Sequence, residues 1–103
     1  MPLTPSRQFE KIFRPSEYGE TWSDVPHSEE FHKVIDEGNM THADMVESVK
    51  KSGVQVPVSV HKGYVVDGHH RVAAAIESNT PVRWEVSPSE MYEGQIPKGK
   101  KNG

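Results

Sequence analysis

Tyr64-Val-Val-Asp-Gly-His-His-Arg-Val-Ala-Ala-Ala-Ile76 joins a short apolar run to an alanine-rich stretch through an Asp-Gly bend. Tyr64, Val65 and Val66 read as a buried strand that delivers Asp67 to its carboxyl end, and Gly68 breaks it. Residues 69–78 then read as a helix with Val72, Ala73 and Ile76 on one side. The first-turn N–H groups of such a helix have no carbonyl partners and sit at the positive end of its dipole, so they form an anion site. His69, His70 and Arg71 add three cationic or potentially cationic side chains where helices ordinarily favour acids. That reversal points to an anionic ligand, and the forked donors of Arg71 suit phosphate. Asp67 repels a bare phosphate, so its expected role is to hold Mg²⁺, to orient Arg71 or to act as a base. Ordinary helix capping, with His and Arg on the surface and alanines close to a sheet, fits the same residues.

Working outward, Val54, Val56, Val58 and Val60 alternate with Gln55, Pro57 and Ser59 as in a half-buried strand. His61, Lys62 and Gly63 turn it into the Tyr64 strand as a hairpin. Upstream, Thr41 and Asp44 have the spacing of a capping box, flanked by Met40 and Met45 as a staple. The helix so marked covers 42–52, with Met45, Val46 and Val49 as its stripe and Gly53 as its stop. Before it, Ser28 caps a helix over 28–37 that carries Phe31, Val34 and Ile35 on one face and ends at Gly38. After Pro81, Val82, Trp84 and Val86 alternate with Arg83 and Glu85 as a last strand. The expected architecture is a small α+β domain, a mixed sheet with helices 28–37, 42–52 and 69–78.

Residues 1–21 hold three prolines, Pro2, Pro5 and Pro15, and the rings of Phe9, Phe13 and Tyr18 without a sustained period. They read as an extended arm, its aromatics laid against a domain spanning 22–87. Residues 88–103 end in Lys98, Lys100 and Lys101 and read as a basic tail.

The chain has 103 residues, a formal net charge of -3 and no cysteine. One small domain is therefore expected. A disulfide scaffold, a thiolate metal site and a cysteine nucleophile are excluded. No global positive field draws the chain to nucleic acid or anionic lipid. No apolar run approaches the roughly 18 residues of a membrane span, and no signal core is read at the N-terminus, so the expected setting is cytoplasmic.

Other constellations are weaker. None of the six histidines share an i,i+4 helical spacing, and His27, His32, His42 and His61 read as exposed. Residues 72–78 lack the Asn and His that a ββα metal nuclease requires. Trp22 and Trp84 read as packing rings rather than base-stacking platforms.

Asp67-Gly68-His69-His70-Arg71 followed by Val72-Ala73-Ala74-Ala75 resembles the second signature of the ParB/sulfiredoxin-like (ParB-like nuclease domain) family. The helix ending at Gly53, then Val56-Pro57-Val58-Ser59-Val60 and Gly63-Tyr64-Val65-Val66, is similar to that family's helix, strand and hairpin. The resemblance covers about residues 41–87. It implies binding of a nucleoside di- or triphosphate, with Mg²⁺, through Gly68, His69, His70 and Arg71. Sulfiredoxin chemistry needs a cysteine where His69 stands, and partitioning proteins carry Glu-Arg-Arg in place of His69-His70-Arg71. The Asp-Gly-His-His-Arg form looks more like the free-serine kinase and ParB-like nuclease branches. A kinase of that type also uses an upstream acid as base, for which Glu29 and Glu30 are candidates.

The expected function is a nucleotide-binding domain with phosphates on the helix that starts at His69. Arg71 and His70 neutralise the terminal phosphate, and Asp67 binds Mg²⁺ or moves a proton; phosphoryl transfer or phosphodiester hydrolysis is the reaction class. One alternative is a non-catalytic phage- or plasmid-type interaction protein that docks its aromatic arm on a host protein, or pairs with a second copy. Another is a DNA-directed nuclease, which the net charge disfavours.

Overall fold

The computed structural model describes residues 2–37 and 41–87. In order the elements are β1 (Leu3–Thr4), α1 (Ser6–Ile12), β2 (Arg14–Pro15), a 3-10 turn (Val25–His27), α2 (Glu29–Glu37), α3 (His42–Ser52), β3 (Val58–His61), β4 (Tyr64–Asp67), α4 (His69–Ser78) and β5 (Val82–Val86). The strands form one mixed sheet, ordered β1-β5-β3-β4-β2. β4 is antiparallel to β3 and parallel to β2, while β5 is parallel to β3 and antiparallel to β1. The α+β class and the mixed sheet expected from the pattern are therefore present. No helix among the described residues is long and apolar enough to cross a membrane.

The local signals explain most elements. α3 has its capping box: Thr41 Oγ1 accepts from the Asp44 amide at 3.1 Å, and the Thr41 amide donates to Asp44 Oδ2 at 3.2 Å. Gly53, at φ 76°, closes it with an N–H to the Val49 carbonyl at 2.7 Å. Ser28 Oγ accepts from the Phe31 amide at 3.4 Å at the start of α2. Val34 and Ile35 as face positions, Gly38 as stop, Met40 as staple and the basic tail 88–103 lie outside the described residues or side chains. Lys62 and Gly63, at φ 51° and 85°, form the two-residue hairpin loop, whose left-handed backbone matches the twist of β3 and β4.

The structure corrects three expectations. Residues 1–21 are not an extended arm. Pro5 and Pro15 bracket α1 without interrupting it, and Phe9 and Phe13, four residues apart, bring their rings to 4.9 Å in the core. Phe9 is fully buried, and β1 and β2 supply the two outer strands, so residues 3–15 and the 22–87 segment share one core. Next, Val54 and Val56 precede β3 instead of opening it. Gly53 turns the chain out of α3 through a positive φ, and Pro57 has no N–H for the ladder, so pairing begins at Val58 against Trp84. Finally, His61 is buried, with Nδ1 bonded to the Ser87 carbonyl at 2.9 Å, because it closes the hairpin beside the end of β5.

The sheet has an irregularity where it matters for the site. Ser59 pairs with Asp67 but Val60 pairs with Val65, so β4 holds one extra residue, Val66, against β3. Such a bulge bends its strand and re-aims the residue beyond it. Asp67 consequently leaves the sheet as an exposed side chain, while Val65 and Val66 are both buried.

Candidate functional site: the β4–α4 junction

Gly68 makes the junction possible. It is the N-cap of α4 at φ 100°, ψ 24°, a left-handed conformation that costs a residue with a Cβ about 1–2 kcal/mol. A Cβ there would also lie 2.9 Å from Arg71 Nη2 and 3.1 Å from Val58 Cγ2. Glycine therefore lets the Arg71 guanidinium fold back over the cap. The first backbone bond along the helix runs from the Val72 amide to the Gly68 carbonyl at 3.0 Å. The amides of His69, His70 and Arg71 lie ahead of that bond, and no side chain caps the helix.

Arg71 sits beside those amides. Its Nη2 reaches the Pro57 carbonyl at 3.5 Å and Asp67 Oδ2 at 3.8 Å, both long contacts, and its Nε is buried with no partner among the described residues. The side chain is 23% exposed and Asp67 is 62% exposed, so the pair opens to solvent at its acidic end. Asp67 stands four residues before Arg71, so the two face each other at i,i+4 spacing.

The two histidines behave differently from expectation. His69 is buried, with Tyr18 edge-on at 5.3 Å and Trp22 at 5.9 Å. Its Nε2 accepts from the Ser16 amide at 3.2 Å, which requires that nitrogen to be unprotonated. Burial, with the neighbouring His70 assisting, lowers its pKa to about 4, against opposing effects of Asp67 and a hydrogen bond to the Val65 backbone. His69 is thus a neutral packing residue whose side chain cannot serve a phosphate. His70 stacks on Phe31 at 4.2 Å and bonds the Phe31 carbonyl through Nε2 at 2.7 Å. Burial and then His42, His32 and Arg71 hold its pKa below the ordinary imidazole range. His70 is thereby tied to α2 through its Nε2 and its ring. Of the three basic side chains, Arg71 alone keeps its charge at the junction.

No group of three or more His, Cys, Asp or Glu side chains among the described residues could hold a metal ion. Asp67 offers one carboxylate, which fits a Mg²⁺ that draws its other ligands from phosphates and water and does not fit a cation held by protein alone. Of the upstream acids, Glu29 is an exposed residue of α2, while Glu30 lines a recess of about 450 Å³ with Glu17, Tyr18 and Ser28. Burial first, then Glu17 and Glu30, raises the Tyr18 pKa. The same Tyr18 ring meets Phe31, His69 and His70, so it joins this recess to the first turn of α4.

Tyr18 and Phe31 escaped the sequence reading because neither is near residues 67–71 along the chain. The signal that could have found Tyr18 is its place before Gly19, in a tight bend where both residues have positive φ, 74° and 153°. Phe9, Phe13 and Trp22 are enclosed by the chain's own core, in line with rings laid against the fold. Trp22 donates Nε1–H to the Phe13 carbonyl at 2.8 Å, and Trp84 donates to Thr4 Oγ1 at 2.9 Å, so both tryptophans are packing rings.

Compared with known proteins, the chain matches no protein-family model, no curated protein and no solved structure.

Proposed function

We propose that the β4–α4 junction binds the phosphates of a nucleoside di- or triphosphate, in the manner implied by its resemblance to ParB/sulfiredoxin-like proteins. The observation that carries this reading is the uncapped first turn of α4 with the Arg71 guanidinium folded over Gly68 beside it. Free amides at a helix N-terminus and a forked cation are complementary to the same anion. The orphaned Arg71 Nε adds a donor that gains a partner when an oxyanion arrives.

The amides of His69, His70 and Arg71 would hold phosphate oxygens, and Arg71 would neutralise the charge that they carry. Asp67 would hold Mg²⁺, which when bound supplies further charge neutralisation on the phosphates. A reaction at this site, phosphoryl transfer or phosphodiester hydrolysis, gains its rate from positioning and fixed charge. Glu30, in the recess beside Tyr18, is the upstream acid that would move a proton.

Calorimetric titration with a panel of nucleoside di- and triphosphates, with and without Mg²⁺, tests the proposal. Heat of binding is expected for the wild type, and Arg71→Ala should weaken it about 10- to 100-fold, the loss of one or two charge-assisted bonds. Silence from the wild type across the panel at millimolar ligand overturns it.

A further inference from the structure

We propose that His69 is a positioning residue: its ring, held between Ser16 and Val65, fixes the first turn of α4 so that the amides of residues 69–71 stand ready for an anion. The inference rests on the phosphate-binding reading of the β4–α4 junction and deepens it. It starts from a tether that this helix does without. A helix start is ordinarily fixed by an N-cap side chain bonded to amides of the first turn. At α4 the N-cap is Gly68, in a left-handed conformation and with no side chain to offer. The absence that leaves the amides open to a ligand also leaves the turn without its usual anchor, and unanchored helix ends fray.

His69 supplies the anchor from another direction. It is the first residue of α4, so its Cα lies between the two peptide units that carry the amides of His69 and His70. Its Nε2 accepts from the Ser16 amide at 3.2 Å, with Ser16 Oγ 3.3 Å from the same nitrogen. With Nε2 accepting, the ring proton sits on Nδ1, which donates to the Val65 backbone. Ser16 follows β2, Pro15 of β2 pairs with Val65 of β4, and the Ser16 amide also reaches the Val65 carbonyl at 3.2 Å. One imidazole thus spans both strands beside their last paired residues.

Packing holds the ring in that place, since it is buried with Tyr18 and Trp22 against it. His70, the next residue, makes a second tie through the Phe31 carbonyl at 2.7 Å. The first turn is therefore bound to the sheet by one histidine and to α2 by the other, and Arg71 is left to meet the ligand. A turn already held takes up an anion without the cost of ordering it. Loosening the turn lowers affinity while every group that touches the ligand is still present.

Inorganic tripolyphosphate with Mg²⁺, titrated calorimetrically into the full chain at neutral pH, is the probe. His69→Phe fills the space beside Tyr18 and Trp22 but accepts no hydrogen bond, and it should bind about tenfold more weakly than the wild type. His69→Gln, whose side-chain carbonyl can accept from the Ser16 amide, should return the affinity to within about threefold of the wild type. Thermal midpoints of the same variants separate this from a general loss of stability: affinity should follow the acceptor at Ser16 and not the midpoint. His69→Phe binding as tightly as the wild type overturns the proposal and leaves the phosphate reading standing, as does His69→Gln binding as weakly as His69→Phe. No binding by the wild type overturns both. Should His69→Phe fail to fold, His69→Asn, whose shorter side chain keeps a donor toward Val65 but does not reach Ser16, takes its place with the same expected loss.

Discussion

His69 takes the opposite part from its neighbour in sequence. Its imidazole receives the Ser16 amide while Tyr18 and Trp22 shield it, so protonation has to break a buried contact. A folded pKa of about 4 against roughly 6.5 unfolded is worth about 3 kcal/mol, present above pH 6.5 and lost as pH falls toward 4. The urea midpoint is therefore expected to drop steeply over that window, and in His69→Gln the pH dependence should flatten while the midpoint at neutral pH falls. Gly68→Ala combines a left-handed backbone with a methyl 3.1 Å from Val58, so it should cost about 1–2 kcal/mol and displace Arg71. A thermal midpoint matching the wild type would show that the junction tolerates a Cβ. The Asp-Gly-His-His-Arg segment announced a bend and a helix start, but not which side chains stay charged. That depends on Tyr18 and Phe31, which reach it only through tertiary packing.

At the scale of elements, what the sequence told depended on whether an element carries its own punctuation. α3 was fully legible, because Thr41, Asp44 and Gly53 satisfy its end groups locally. Thr41→Ala should cost about 1 kcal/mol in chemical denaturation, the usual worth of an N-cap. α4 was legible from its glycine and its run of alanines. α1 was not: at seven residues it is too short to display a period, and its helical state rests on burying Phe9. Phe9→Ala should cost about 3–5 kcal/mol, a large part of the stability of a domain this small, and broad loss of near-ultraviolet dichroism is the expected sign. The two-residue strands β1 and β2 fall below any sequence signal, since an alternating pattern needs four or more positions to register.

In the whole molecule, the N-terminal segment straddles the sheet. β1 closes one edge against β5, β2 closes the other against β4, and α1 runs between them with Phe9 in the core. Short edge strands of this kind leave little backbone open to another chain. Deleting residues 1–15 strips both edges and Phe9 together, so the remainder should not fold. Size-exclusion chromatography and circular dichroism of the truncated chain check this, and a cooperative unfolding transition in the truncated form would count against the account.

Leu3 pairs with Arg83, and Trp84 bonds Thr4 across eighty positions of sequence. Residues 3–4 are thus made well before the strand they pair with. A nascent chain stalled before Val82 has no neighbour for its leading strand and cannot complete its core. Protease resistance of ribosome-bound chains should appear only after Val86 has cleared the exit tunnel.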